Sequence, residues 1–317
     1  MPLDPQVQEM LTLLDSLNLP PISHGTAESA RAAFRNLTVD ARQPGSVAQV
    51  GSVEDLHVDG ATGPMAARIY RPEGSNPSSG SMPTTVFFHG GGFVIGDIET
   101  HDNQCRWICR DAETVVLSVD YRLAPEDAFP AAVDDCLAAT HWAAANIDRL
   151  GGDSQRIAVA GDSAGGNLAA VVAQQTRDTR PRLAAQLLIY PATDFEENEH
   201  KYPSRVDNAE GFFLTSDDMR WFGENYAADA DHTDPRLSPA FGKLEGLPPA
   251  VVVTAEFDPL RDEGEAYAEA LEKAGVQVVS HRFDGLIHGF FELAGLSPAC
   301  AEAIRTTCAD LKGLLHA

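Results

Sequence analysis

Ser163 lies at the centre of Gly161-Asp162-Ser163-Ala164-Gly165, directly after the short apolar run at 156–160 and directly before an amphipathic stretch at 164–177. A serine with glycines two before and two after can occupy a sharp strand-to-helix turn. Side chains at the glycine positions would collide in that turn. The hydroxyl then stands above a sheet and at a helix N-terminus, where it can act as a nucleophile in acyl transfer. The pattern alone is weak; its place between a strand signal and a helix signal gives it weight. A phosphate-binding turn is the competing interpretation, but no lysine follows in the P-loop arrangement and no G-x-G-x-x-G stands here.

A hydroxyl is a poor nucleophile without help, so the same chemistry requires oxyanion donors, a base and an acid. His89-Gly90-Gly91-Gly92-Phe93 follows the run at 84–89. Three glycines after a buried strand cost conformational entropy and make sense where backbone N–H groups must approach a ligand closely. We assign the amides of Gly91, Gly92 and Ala164 to the oxyanion, with the glycine register open by one position. His89 fits a structural role in holding that loop. The acid and the histidine should come later in the chain, in that order. Among His200, His232, His281, His288 and His316, only His288 lies in a loop just past the last strand signal. Asp258, at the carboxyl end of the run at 250–256, is preferred as the acid to Asp284, which shares the histidine loop. Asp262, one turn into the next helix, suits a capping role.

Those groups need rigid mounts. Short branched apolar runs at 84–89, 113–120, 156–160, 184–191, 250–256 and 276–283 alternate with amphipathic stretches at 130–148, 164–177 and 262–274. That rhythm predicts an α/β fold: a mostly parallel central sheet flanked by helices on both faces. A hairpin near 53–58 and 65–71 is expected to open the sheet, and 73–83 reads as a surface loop. Asp4-Pro5 marks a helix start, with Val7, Met10, Leu11 and Leu14 on one face. A second helix is expected from Thr26 to about Leu37. Residues 1–45 are therefore taken as a helical part of a cap. Residues 192–249 are a cap insertion, and 46–191 with 250–317 form the catalytic domain. Phe212, Phe213, Leu214, Trp221 and Phe222 either line an acyl or alcohol pocket, with Phe213 and Leu214 foremost, or form the core of the cap itself.

Lys and Arg total 23 against 47 Asp and Glu, a net charge of −24. Such a surface repels nucleic acid and anionic membranes. No run of about 18 apolar residues is present, so no membrane partner is expected. The opening MPLDPQVQEM lacks the basic start and apolar core of a secretory signal, which points to a cytoplasmic protein. Cys105, Cys109, Cys136, Cys300 and Cys308 form no metal-ligand spacing and are expected to be reduced and mostly buried.

Taken together, HGGGFVIGD (89–97), SVDYRLAPE (118–126), GDSAGGNLA (161–169), NAEGFFLT (208–215), EFDPLRDEG (256–264) and IHGF (287–290) resemble the hormone-sensitive lipase family, bacterial family IV, of the α/β-hydrolase fold. The resemblance runs from about residue 5 to the end. It implies a serine carboxylesterase acting on small-molecule esters with short- to medium-chain acyl groups through an acyl-enzyme. Ser163, Asp258 and His288 would be catalytic, with no metal and no organic cofactor. It also implies a helical cap made of the N-terminus and an insertion after the sixth strand, and a homodimer. Glu126 and Asp162 match the family pattern and read as scaffolding for the active-site loops. The alternatives are an amidase or lactonase using the same triad, and a non-catalytic receptor on the same fold. The histidine in place at 288 speaks against the receptor.

Overall fold

The computed structural model describes residues 1–317 except 19, 43–44, 76–79, 197–198 and 228. Among the described residues eight strands form one sheet. They are β1 (Ser52–Asp59), β2 (Pro64–Arg71), β3 (Met82–Phe88), β4 (Val115–Val119), β5 (Gly152–Asp162), β6 (Ala185–Ile189), β7 (Ala250–Phe257) and β8 (Val278–Ile287). Their order is β1-β2-β4-β3-β5-β6-β7-β8. The opening hairpin β1–β2 is antiparallel, β2 meets β4 antiparallel, and every later pair is parallel. The expected mostly parallel α/β sheet is therefore present. The expected loop at 73–83 ends at Met82, where β3 begins, and its residues 76–79 lie outside the described ones.

The strands are apolar on both faces because both are covered. Val86 and Phe88 of β3 join one core cluster while Phe87 joins the other. Val252 of β7 faces the first cluster, and Val251 and Val253 face the second. This is the two-residue period of a strand packed between two helical layers. Each fully buried Val, Leu or Phe contributes about 1.5–3 kcal/mol, which makes the strand ends rigid mounts for side chains. The first face is covered by α4 (Ala131–Ala145), α6 (Ala164–Thr176) and α9 (Arg261–Lys273); the second by α3 (Asp102–Asp111) and α10 (Pro298–Leu315). A four-residue helix, α5 (Ile147–Leu150), leads into β5.

Two strands run further than their apolar signals. β5 begins at Gly152, where Gly152 pairs with Met82, although Asp153-Ser154-Gln155-Arg156 is polar and largely exposed. β8 continues through Asp284 and Gly285 to Ile287, although the expected place of Asp284 is the histidine loop. Gly285 adopts φ +74, and the β7–β8 register shifts before Phe257 meets Ile287. The irregularity is stabilised by partners: Gly285 N donates to Glu256 at 2.7 Å, and its carbonyl accepts from Asp4 N at 2.8 Å.

Asp4 caps α1 (Pro5–Ser16) as expected, its side chain accepting from Gln6 N and Val7 N. The apolar stripe of α1 packs on the body: Val7 and Leu11 join the cluster of Leu286, Ile287 and Phe290. The expected second helix is α2 (Ala27–Arg35), capped by Thr26 and followed by a looser turn at 36–40. Between β6 and β7 lie α7 (Ser204–Asp207) and α8 (Ser216–Ala227). Ser23 N, just before α2, donates to Asp218 of α8 at 3.3 Å.

Candidate active site

The strand-to-helix turn at Ser163 is strained. Ser163 has φ 55 and ψ −116, outside the regions that residues with a Cβ prefer, at a cost of about 1–3 kcal/mol. Sterics explain the flanking glycines. A Cβ at Gly161 would run into the carbonyl of Gly165, and a Cβ at Gly165 would run into the carbonyl of Phe88 on the neighbouring strand. Ser163 N is held by Ile189 O at 2.8 Å, and its carbonyl starts α6 by accepting from Asn167 N at 3.0 Å. The turn is thus fixed between the ends of β5 and β6.

The loop after β3 is built against this turn. Gly90 N donates to Asp162 at 2.9 Å, and a Cβ on Gly90 would strike that same carboxylate. Gly91 and Gly92 have φ +112 and +59, conformations that favour glycine. Val94 N and Ile95 N both donate to Gly91 O, at 3.1 and 2.9 Å, which closes a tight turn. The amides of Gly91, Gly92 and Ala164 donate to no other described residue, so each is free to donate to a ligand oxygen. The neighbouring His89 is fully buried, with Nδ1 donating to Gly90 O at 2.8 Å and its ring stacked on Tyr121 at 4.2 Å. Burial, then repulsion from His101, pushes its pKa down to about 4. It stays neutral and braces the loop.

Three distant side chains meet above the sheet. His288 Nε2 lies 3.1 Å from Ser163 Oγ, and its Nδ1 lies 2.8 Å from Asp258 Oδ2. The other carboxylate oxygen accepts from Leu260 N at 2.8 Å. Asp258 is fully buried and His288 is 7% exposed. A carboxylate at Nδ1 keeps the proton there and turns the Nε2 lone pair toward the hydroxyl. Such an arrangement can move a proton from Ser163 to His288 and back. Asp284 is exposed on β8 and is not the carboxylate that His288 Nδ1 meets, which is Asp258. Asp262 does cap, but a different helix: it accepts from Ser204 N of α7 at 2.7 Å. His281 pairs with Asp310 at 2.7 Å, and none of His200, His232, His281 or His316 contacts Ser163.

Five further residues, His101, Asp162, Glu292, Asn208 and Arg31, support the site. His101 is buried between Asp162 (3.6 Å) and Glu292 (3.8 Å). Burial opposes its charging, but Asp162 and Glu292 outweigh that and its pKa is pushed up to about 9. The converse holds at Asp162: burial favours the neutral acid, yet the imidazolium brings its pKa below the ordinary carboxylate range. The Gly90 amide lies between Asp162 (2.9 Å) and His101 Nε2 (3.2 Å); with His101 doubly protonated, the carboxylate alone accepts from it. Asn208, buried after α7, donates to the Asp258 carbonyl at 3.1 Å and so ties the insertion to the acid turn. Arg31 reaches the far side of the glycine loop from α2. Of these, Asp162 matches the family pattern as scaffolding and Asn208 opens the segment 208–215, whereas none of His101, Glu292 and Arg31 belongs to a motif read from the sequence.

Over the site, Phe222 packs so closely on Gly92 that a Cβ there would meet its ring. Phe213 is 41% exposed with φ +79, and its ring faces Gly289 beside His288. Leu214 is half-buried. Phe212 packs on Phe257 at 4.8 Å, and Trp221 packs edge-on against Phe222 at 5.2 Å. No three His, Cys, Asp or Glu among the described residues are placed to hold a metal, and no helix among them is long and apolar enough to cross a membrane. All five cysteines are buried and free.

Comparison with known proteins identifies the family of the chain. Residues 85–292 match the family model described as alpha/beta hydrolase fold. Esterase LipI of Mycobacterium tuberculosis is 42% identical over 97% of this chain and 94% of its own. Carboxylic ester hydrolase LipN of the same organism is 44% identical over 94% of this chain and 80% of its own. The hyperthermophilic esterase of the archaeon Pyrobaculum calidifontis superposes with a TM-score of 0.92 at 41% identity, covering all of both chains.

Proposed function

Because the chain belongs to the hormone-sensitive lipase family of α/β-hydrolase-fold carboxylesterases, we propose that it cleaves short- to medium-chain acyl esters through an acyl-enzyme on Ser163. His288 takes the Ser163 proton as the oxygen attacks the ester carbonyl. The amides of Gly91, Gly92 and Ala164 hold the oxyanion, and His288 then protonates the departing alcohol. Water, activated by the same imidazole, releases the acid. Asp258 fixes the tautomer of His288 and stabilises its charged form. The observation that supports this reading is the pair of contacts at His288, 3.1 Å to Ser163 and 2.8 Å to Asp258.

In this proposal residues 1–45 and 192–249 are two parts of a cap, over a catalytic domain of 46–191 and 250–317. The hydrogen bond from Ser23 to Asp218 and the seat of Phe222 on Gly92 support it. Phe213 and Leu214 border the acyl pocket. A cytoplasmic location and a homodimer complete the proposal; five buried free thiols suit a reducing compartment, and light scattering reads the oligomeric state.

The test is Ser163→Ala assayed on acetyl, butyryl, octanoyl and palmitoyl aryl esters, with one aryl amide as control. Turnover should fall about 10⁴- to 10⁶-fold in the variant, and the wild type should favour the shorter acyl groups. Retained turnover in the folded variant removes Ser163 as nucleophile, and a preference for the amide replaces the ester reading.

A further inference from the structure

Two of the three amides assigned to the oxyanion, those of Gly91 and Gly92, sit on glycines with positive φ, whose backbone is the least restricted of any residue. Something outside these glycines must aim them. Upstream, Gly90 N is held by buried Asp162 at 2.9 Å. Downstream, Phe93 O accepts from Ala124 N at 2.9 Å. The next carbonyl, Val94 O, accepts from Arg31 Nε at 2.8 Å. Arg31 Nη2 also donates to Ala124 O at 2.9 Å. The same guanidinium meets Glu126 as a fork, at 2.8 and 2.6 Å. Both carbonyls that follow the glycines are therefore tied, directly or through Ala124, to one side chain from α2.

We propose that Arg31 is a positioning residue of the oxyanion loop, so that docking of α2 on the body aims the Gly91 and Gly92 amides. The proposal rests on the assignment of those amides as oxyanion donors. Fold stability alone does not account for so many contacts. Arg31 and Glu126 are 31% and 59% exposed, and an exposed ion pair adds little to stability. What the pair supplies is direction. A planar guanidinium can meet a carboxylate bidentately and two carbonyls at once, whereas an ammonium is a point charge that cannot reproduce the fork. Catalysis is sensitive to such aim: displacing a reacting group by about 1 Å can cost about a hundredfold, and losing an oxyanion donor costs about 10²–10³ in kcat.

A surface cavity of about 410 Å³, lined in part by Arg31, Gly96, Tyr121 and Glu126, opens beside the guanidinium. Free guanidinium can reach the place that Arg31→Ala would vacate. In the full-length chain, Arg31→Ala should lower kcat on a butyryl aryl ester about tenfold to a hundredfold, with KM within about threefold. Affinity for an aryl boronic acid, whose tetrahedral adduct with Ser163 carries an oxygen toward the same amides, should fall in step. Millimolar guanidinium chloride should restore turnover of Arg31→Ala, while equal sodium chloride should not. Arg31→Lys should stay impaired. Should Arg31→Ala not fold, Glu126→Gln loosens the fork from outside and should give a smaller loss of kcat at unchanged KM. The proposal is overturned if kcat stays within about twofold of wild type in the folded variants, a change that surface substitutions ordinarily produce. It is equally overturned if guanidinium restores nothing and boronate affinity is unchanged. Failure of the underlying esterase mechanism is separate: it shows as turnover surviving in Ser163→Ala.

Discussion

Replacing Asp258 by Asn changes a single atom in a site with no room for adjustment, and the contacts set the outcome. Asp258 Oδ1 accepts from Leu260 N at 2.8 Å and Oδ2 faces His288 Nδ1 at 2.8 Å, with the side chain fully buried. An asparagine has one oxygen and one NH₂ for those two places. Putting the NH₂ against Leu260 sets donor against donor and strands a buried amide, at a cost of about 1–3 kcal/mol. The oxygen therefore takes the Leu260 side and the NH₂ faces His288 Nδ1. Nδ1 must then accept, the ring proton moves to Nε2, and His288 presents a donor to Ser163 where a base is needed. The same loss of tautomer in a serine triad costs about 10⁴ in kcat, or about 5.5 kcal/mol of barrier. KM should change little, because the carboxylate lies behind the imidazole and touches no substrate. The assay is steady-state hydrolysis of a butyryl aryl ester, with circular dichroism and a thermal melt to establish folding. Asp284→Asn is the control: exposed on β8, it should stay within about twofold of wild type. If folded Asp258→Asn keeps more than about a tenth of the wild-type kcat, far above that 10⁴ loss, the tautomer argument is wrong. An equal loss in Asp284→Asn would move the acid to the other carboxylate.

At about 1.4 kcal/mol per tenfold change in proton affinity, raising His101 from 6.5 to about 9 makes its proton worth about 3 kcal/mol to the fold. A pKa raised by folding stabilises fully below the unfolded value and loses that contribution as pH climbs from about 6.5 through 9; Asp162, shifted the opposite way, keeps its contribution across that window and loses it only in acid. Wild-type melting temperature should therefore drop across that alkaline window and His101→Asn should flatten the drop, whereas parallel curves would exclude His101 as its source. Phe213→Ala removes an exposed ring beside His288 and should raise the octanoyl-to-acetyl ratio of kcat/KM about tenfold, the scale of one or two methylenes in a pocket; an unchanged ratio returns Phe213 to the cap surface.

What the sequence made legible and what it hid follow a physical line. Ser163, the glycines around it, the loop at 89–92, Asp258 and His288 sit at or just past strand ends, where a steric or chemical requirement falls on consecutive residues. Gly165 must lack a Cβ because Phe88 O is in the way, and a demand of that kind leaves a motif. The supports are different. Arg31 bonds Val94 across 63 residues, and Gln104 bonds Glu292 across 188. No local pattern foretells such contacts, since any arginine on a helix face looks solvated until the helix is docked. The stripe of Val7 and Leu11 announced a buried face on α1 without saying which surface it would cover, and that surface is the body below His288, where Asp4 N reaches Gly285. The same limit applies to strand ends: the polar start of β5 and the glycine irregularity in β8 are held by partner strands and carboxylates, which a reading of apolar runs cannot see. The triad could thus be named from local constraint. The contacts that keep it aligned are tertiary: His101 beneath the elbow, Asn208 behind Asp258 and Arg31 beyond the glycines. A chain carrying the triad and the glycine loops but lacking the Asn208 and Arg31 side chains should therefore keep its circular dichroism spectrum and lose kcat on a butyryl aryl ester.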